Sequence, residues 1–115
     1  MEINKLFDVS EKVVVVTGGS RGIGEMITAG FLANGAKVYI SARKAPALME
    51  KAKELSERYN GECIAIPCDL SNTDGMDYFV QQLSENEKGI DYLINNAAAA
   101  WGEPLEDFSE TGWDK

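Results

Sequence analysis

Residues 13–24 read VVVVTGGSRGIG. A near-continuous apolar run of this kind suits a strand of a parallel sheet covered on both faces. It ends at once in a stretch where four of eight residues are glycine. A strand that runs through such a turn into a helix is a seat for phosphate, because the helix start offers unpaired N–H groups and a partial positive charge. In that reading Gly18 permits the tight turn, Gly22 lets the backbone approach a pyrophosphate, and Gly24 lets the helix pack close to the strand. No Gly-Lys-Ser/Thr ending follows, so the run is not a P-loop for ATP or GTP. A glycine-rich turn can be no more than a turn. A strand before it, a helix after it and a second strand about twenty residues on favour a dinucleotide.

The rest of the chain repeats the alternation. Apolar runs occur at 13–16, 38–40, 64–66 and 92–94. Between them, Leu48, Ala52, Leu55 and Tyr59 make one helical stripe, and Met76, Phe79, Val80 and Leu83 make another. Asn34-Gly35, Asn60-Gly61 and Lys88-Gly89 are expected to close helices through a left-handed glycine. Ser71 or Asn72 is expected to cap the third helix, and Pro46 to sit in the first turn of the second. The order β-α-β-α-β-α-β predicts a right-handed, doubly wound α/β fold with a parallel sheet. Three strands make one mononucleotide-binding half, and the fourth opens a second half. The pattern therefore predicts that 1–115 is the N-terminal part of a single NAD(P)-binding Rossmann domain, truncated after its fourth strand. That strand should show an uncovered edge and face.

Composition narrows the function. A net charge of −8 opposes binding to nucleic-acid phosphates. No apolar stretch approaches the roughly 18 residues that span a bilayer. The start, MEINKLFDVSEK, lacks the features of a signal peptide, so a cytoplasmic protein without a membrane partner is expected. Cys63 and Cys68 have neither redox-pair nor metal-ligand spacing and read as small buried thiols. With no histidine, these residues hold no Ser-His-Asp triad, Cys-His pair or His-ligated zinc, and no metal site is expected.

The spacing Thr17-Gly18-x-x-x-Gly22-x-Gly24 resembles the short-chain dehydrogenase/reductase family, whose cofactor loop is TGxxxGxG. Cys68-Asp69-Leu70 follows the third strand, where the family has its adenine-contacting Asp. Asn95-Asn96-Ala97-Ala98 follows the fourth, where the family has NNAG, and Trp113-Asp114 stands where the family often enters its next helix. The likeness runs along essentially the whole chain and is nearest to NADPH-dependent 3-oxoacyl reductases. It implies that Ser20, Arg21, Gly22 and Ile23 line the pyrophosphate and adenosine ribose. It implies that Asp69 accepts from the adenine amino group beside the Leu70 N–H, and that Asn96 and Ala97 lie along the second ribose. Asn95 is expected to tie central strands together rather than touch ligand. The blander reading of Asp69 is a helix cap or turn acid.

The second strand and its exit, VYISARK at 38–44, decide which nicotinamide cofactor is expected. An NAD site usually carries a carboxylate here for the ribose 2′-hydroxyl. Ala42 fills that place, followed by Arg43 and Lys44, and Ser41 and Arg43 are expected among the cofactor-binding residues. A 2′-phosphate meets no repulsion and could meet a guanidinium, from Arg43 and from Arg21 on the other side. A hydrogen bond to a charged group contributes roughly 1.5–3 kcal/mol, about ten- to hundredfold in preference, so NADP(H) is the expected cofactor.

The resemblance also implies carbonyl reduction of a small-molecule or acyl substrate, in a full-length homo-oligomer. The family's Tyr-x-x-x-Lys pair is absent here. Four residues after Tyr39, Tyr59, Tyr78 and Tyr92 come Arg43, Cys63, Gln82 and Asn96. The expected catalytic Ser, Tyr and Lys would follow Lys115, so no residue of 1–115 is assigned a catalytic role. Ala98 departs from the family's glycine, and the apolar run at 97–102 reads either as a packing loop or as a wall for a long-chain substrate. Two alternatives to an NADPH-dependent reductase stand beside it: a non-catalytic NADP(H)-binding or sensing protein, and a piece too incomplete to hold ligand.

Overall fold

The computed structural model describes residues 8–19 and 22–96. Four parallel strands, β1 (Val13–Thr17), β2 (Lys37–Ala42), β3 (Cys63–Pro67) and β4 (Tyr92–Asn95), alternate with helices α1 (Gly22–Ala33), α2 (Ala45–Tyr59) and α3 (Thr73–Asn86). The sheet order is β3-β2-β1-β4. Val14, Val15 and Val16 pair with Val38, Tyr39 and Ile40 on one side and with Tyr92, Leu93 and Ile94 on the other.

Strand alternation divides the apolar run between two cores. Val14 and Val16 join Val38, Ile40, Leu32, Leu48, Ala52 and Leu55, so α1 and α2 cover that face. Val15 joins Tyr39, Ile66, Phe79 and Leu83, so α3 covers the opposite face. The three central valines are 0% exposed, each stabilising the fold by roughly 1.5–3 kcal/mol, which makes β1 the anchor of the sheet. This is the doubly wound arrangement expected from the chain order.

Three local expectations are corrected. Of the third helix's stripe only Phe79 and Leu83 are buried, while Met76 (45%) and Val80 (57%) are exposed. The cover of α3 reaches β1, β2 and β3 but not β4, where Leu93 is 64% exposed. At the end of α2 it is Asn60, not Gly61, that turns left-handed, with φ 49°. The end of α3 uses no left-handed residue, since Glu87 is extended. Pro46 does sit in the first turn of α2, and Asn72 caps α3 through a 2.7 Å bond accepted from the Gly75 N–H. The outer edge of β4 has no strand partner among the described residues, and Tyr92 leans on Phe31 with ring centroids 6.3 Å apart.

Candidate functional site

The chain moves from β1 out to β2 and β3, then returns to the other side of β1 with β4. At such a reversal the loops after the two strands diverge and leave a crevice outside their carboxyl ends, where open α/β sheets bind ligand. Thr17 stands at that point, 5% exposed. Its hydroxyl donates to Asn95 Oδ1 at 3.0 Å and accepts from the Asn96 N–H at 2.9 Å. Asn95 thus ties β4 to β1, as its sequence position suggested. The sequence reading gave Thr17 no role of its own; the signal for it was the first letter of TGxxxGxG.

The glycine loop follows directly. Gly18 takes φ +70°, and its N–H donates to the Ser41 carbonyl at 2.9 Å, pinning the loop to β2. Gly22 opens α1 with φ +61°, and a Cβ there would meet no described atom within 4 Å. Its glycine answers to the backbone conformation, and no described atom fills the space above it. Gly24 is different. An added Cβ would lie 2.7 Å from Asn96 Nδ2 and 2.8 Å from the Gly18 carbonyl carbon. The close approach expected between helix and strand is therefore made to the loop's own carbonyl and to the asparagine after β4. Asn96 Nδ2 also reaches the Gly18 oxygen at 3.5 Å. Ile23 is 69% exposed at the start of α1. Ser20, Arg21 and Ala97 lie outside the described residues, as do Ala98, the rest of the apolar run to Gly102, and Trp113-Asp114.

Beyond the loop, Ser41 is buried at 1% exposure, its side-chain oxygen without a hydrogen-bond partner among the described residues, while its carbonyl engages the loop. Ala42 packs on the α1–α2 core, and its carbonyl accepts from the Cys68 N–H at 3.0 Å. Arg43 and Lys44 are exposed between β2 and α2. At the β3 exit, Asp69 is a turn acid: its Oδ1 accepts from the Ser71 N–H at 2.9 Å and the Ser71 hydroxyl at 2.6 Å. Leu70 is half-buried against the α3-side core. Gly75, in the first turn of α3, packs against the Asp69 backbone. Sequence reading missed it, although a glycine early in a helix was the available signal. Burial pushes the Cys63 thiol up to about 12, and burial followed by the neighbouring Asp69 raises Cys68. Among the described residues no group of three or more Cys, Asp or Glu could hold a metal ion.

A tightly coupled group of charged and polar side chains sits at the opposite end of the sheet. Lys37 Nζ and the Tyr39 hydroxyl both reach Glu87 Oε2 at 2.6 Å. Burial first, then that bond, raises the Tyr39 phenol to about 12. The cluster ties the end of α3 to the start of β2, and its distance from the strand exits makes it structural.

Residues 12–115 match the family model described as short chain dehydrogenase. The chain belongs to the short chain dehydrogenase family. One relative of this short chain dehydrogenase chain is the rhamnolipids biosynthesis 3-oxoacyl-[acyl-carrier-protein] reductase of Pseudomonas aeruginosa. It is 45% identical over 109 residues, 95% of this chain and 42% of the relative. Among solved structures, the Pseudomonas aeruginosa RhlG/NADP active-site complex matches with TM-score 0.76 and 46% identity, covering 81% of this chain and 37% of that one. L-Sorbose reductase from Gluconobacter frateurii, complexed with NADPH and L-sorbose, matches with TM-score 0.78 and 32% identity, covering 94% and 42%. The chain thus spans less than half the length of each of these proteins. No helix among the described residues is long and apolar enough to cross a membrane.

Proposed function

We propose that this chain is the cofactor-holding part of an NADPH-dependent oxidoreductase that reduces a carbonyl, with 3-oxoacyl compounds as the substrate class. The observation that carries the reading is the Gly18–Gly24 loop. It is pinned to β2 and β4 at the reversal of strand order, with no described atom in the space above Gly22 at the start of α1. That arrangement fits a dinucleotide diphosphate: N–H groups at a helix start, glycine backbone that a ligand can approach, and no described side chain in the way. Ser20, Arg21, Gly22 and Ile23 would hold the diphosphate and first ribose, and Asn96 and Ala97 the second ribose. Arg43, exposed where an NAD site would carry an acid, would take the 2′-phosphate. Asp69 and Leu70 would meet the adenine. Ser41 and Thr17 act from beneath, through the bonds that fix the loop. NADPH, when bound, supplies the hydride. The named complexes of relatives with NADP and NADPH support this choice, and the reductase relative at 45% identity supports the substrate class.

The proton donor expected of the family falls on none of the four tyrosines, as no Tyr-x-x-x-Lys occurs. We assign 1–115 to cofactor binding within one Rossmann domain and place the catalytic Ser, Tyr and Lys outside it. The test is a fluorescence titration of the chain with NADPH and NADH, repeated on Arg43→Ala. A bond from Arg43 to the 2′-phosphate predicts a ten- to hundredfold loss for NADPH, from roughly 1.5–3 kcal/mol, and little change for NADH. Equal losses for both would sink the assignment of Arg43. No binding of either by the unaltered chain would sink the site.

A further inference from the structure

We infer that Gly75 is a positioning residue: its missing side chain lets the first turn of α3 lie against the Asp69 backbone and so sets where the Asp69 carboxylate stands. The inference rests on the proposed role of Asp69 toward the adenine. An added Cβ at Gly75 would lie 2.6 Å from the Asp69 carbonyl carbon and 3.2 Å from its nitrogen, and closer still to its carbonyl oxygen. These are backbone atoms, so no rotamer change relieves the contact. One of the two segments must move by about 1 Å, which is more than the span of a good hydrogen bond. The carboxylate would move with the backbone, because Asp69 Oδ1 is bonded to the N–H and hydroxyl of Ser71 just ahead of Asn72. Asn72 completes the clasp, its Oδ1 accepting from the Gly75 N–H at 2.7 Å. By contrast, a Cβ at Gly30 of α1 would meet nothing described within 4 Å.

The test compares NADPH with its hypoxanthine analogue (reduced nicotinamide hypoxanthine dinucleotide phosphate), which lacks the adenine amino group. Dissociation constants are read by fluorescence on the unaltered chain, on Gly75→Ala and on the control Gly30→Ala, with circular dichroism to check folding. The unaltered chain and the control should prefer NADPH by about tenfold or more, the value of one charge-assisted bond. In Gly75→Ala that ratio should fall to about one, through weaker NADPH binding with the analogue unchanged. A folded Gly75→Ala that keeps the ratio, whatever its overall affinity, overturns the inference and leaves the proposed site intact. Equal binding of both ligands by the unaltered chain also overturns the inference while the site stands. Binding of neither removes both. Should Gly75→Ala fail to fold, Asn72→Ala opens the clasp without adding volume. A reduced ratio there supports the inference, and an unchanged one overturns it.

Discussion

Thr17 and Ser41 are register partners on adjacent strands, and both hydroxyls lie on the sheet face that α3 covers, yet removing them should have opposite consequences. Thr17 Oγ1 accepts from the Asn96 N–H and donates to Asn95 Oδ1, while Ser41 Oγ has no partner among the described residues and is sealed at 1% residue exposure. Each bond of Thr17 contributes about 1 kcal/mol net, and both asparagines are open enough for water to replace part of it, so Thr17→Val should cost about 1–2 kcal/mol. A buried hydroxyl without a partner costs roughly 1–3 kcal/mol of desolvation, so Ser41→Ala should leave stability unchanged or raise it by about 1 kcal/mol. Urea unfolding followed by circular dichroism reads both as shifts of midpoint at constant slope. A loss of more than about 1 kcal/mol for Ser41→Ala would show that the hydroxyl bonds something in solution, such as an enclosed water, and the reasoning would fail. An unmoved midpoint for Thr17→Val would equally refute the role of Thr17 as the tie across the strand reversal.

The Lys37–Tyr39–Glu87 cluster should make stability depend on pH at both ends of the range. Lys37 and Tyr39 both titrate higher when folded, so their contribution is whole below about pH 10; that of Tyr39 is lost as pH rises toward 12, and that of Lys37 as pH rises above the ordinary lysine range. Glu87 titrates lower when folded, because of its bonds to Lys37 and then Tyr39, so its contribution is lost as pH falls below the ordinary carboxylate range. Urea midpoints measured against pH should drop at both ends, and Tyr39→Phe should flatten the alkaline limb. Gly24→Ala should destabilise against helix propensity because of the Gly18 carbonyl, while Gly30→Ala should stabilise by about 0.5–1 kcal/mol; thermal unfolding of the pair checks this. Thiol labelling of the folded chain should mark half-buried Cys68 well before Cys63, which is buried with its thiol raised to about 12; equal rates would contradict that packing.

What the sequence made legible follows physical periodicity. VVVV could be assigned to a doubly covered strand because both its faces are apolar, and Leu48, Ala52 and Leu55 to a stripe because helix spacing puts them on one side. Met76 and Val80 fit the same rule and are exposed, since periodicity shows which residues share a face but not how much of that face a neighbour covers. Asn60 took the left-handed place expected of Gly61 because asparagine tolerates that conformation and stands one residue nearer the helix. Asp69 was readable as a polar residue after a strand. That its partner would be Ser71, and its neighbour the bare Cα of Gly75, depends on how α3 folds back over the β3 exit.

The same distinction runs through the candidate site. Residues that a ligand would touch belong to short spacings in one segment, and such spacings survive being written as a string. Residues that hold those segments at the right separation act between strands far apart in sequence: Thr17 on Asn95 and Asn96, Ser41 on Gly18, Gly24 against Asn96. Each of these contacts crosses between the loop after β1 and the end of β2 or β4, so each needs the strand order β3-β2-β1-β4 before it can be deduced. Given that order, Thr17 has only β4 and β2 beside it, and a buried hydroxyl there must find its partners at the ends of those strands. Ser41, on β2 between β1 and β3, has no such partner among the described residues, so the two variants, measured side by side, test whether the loop is held from the β4 side.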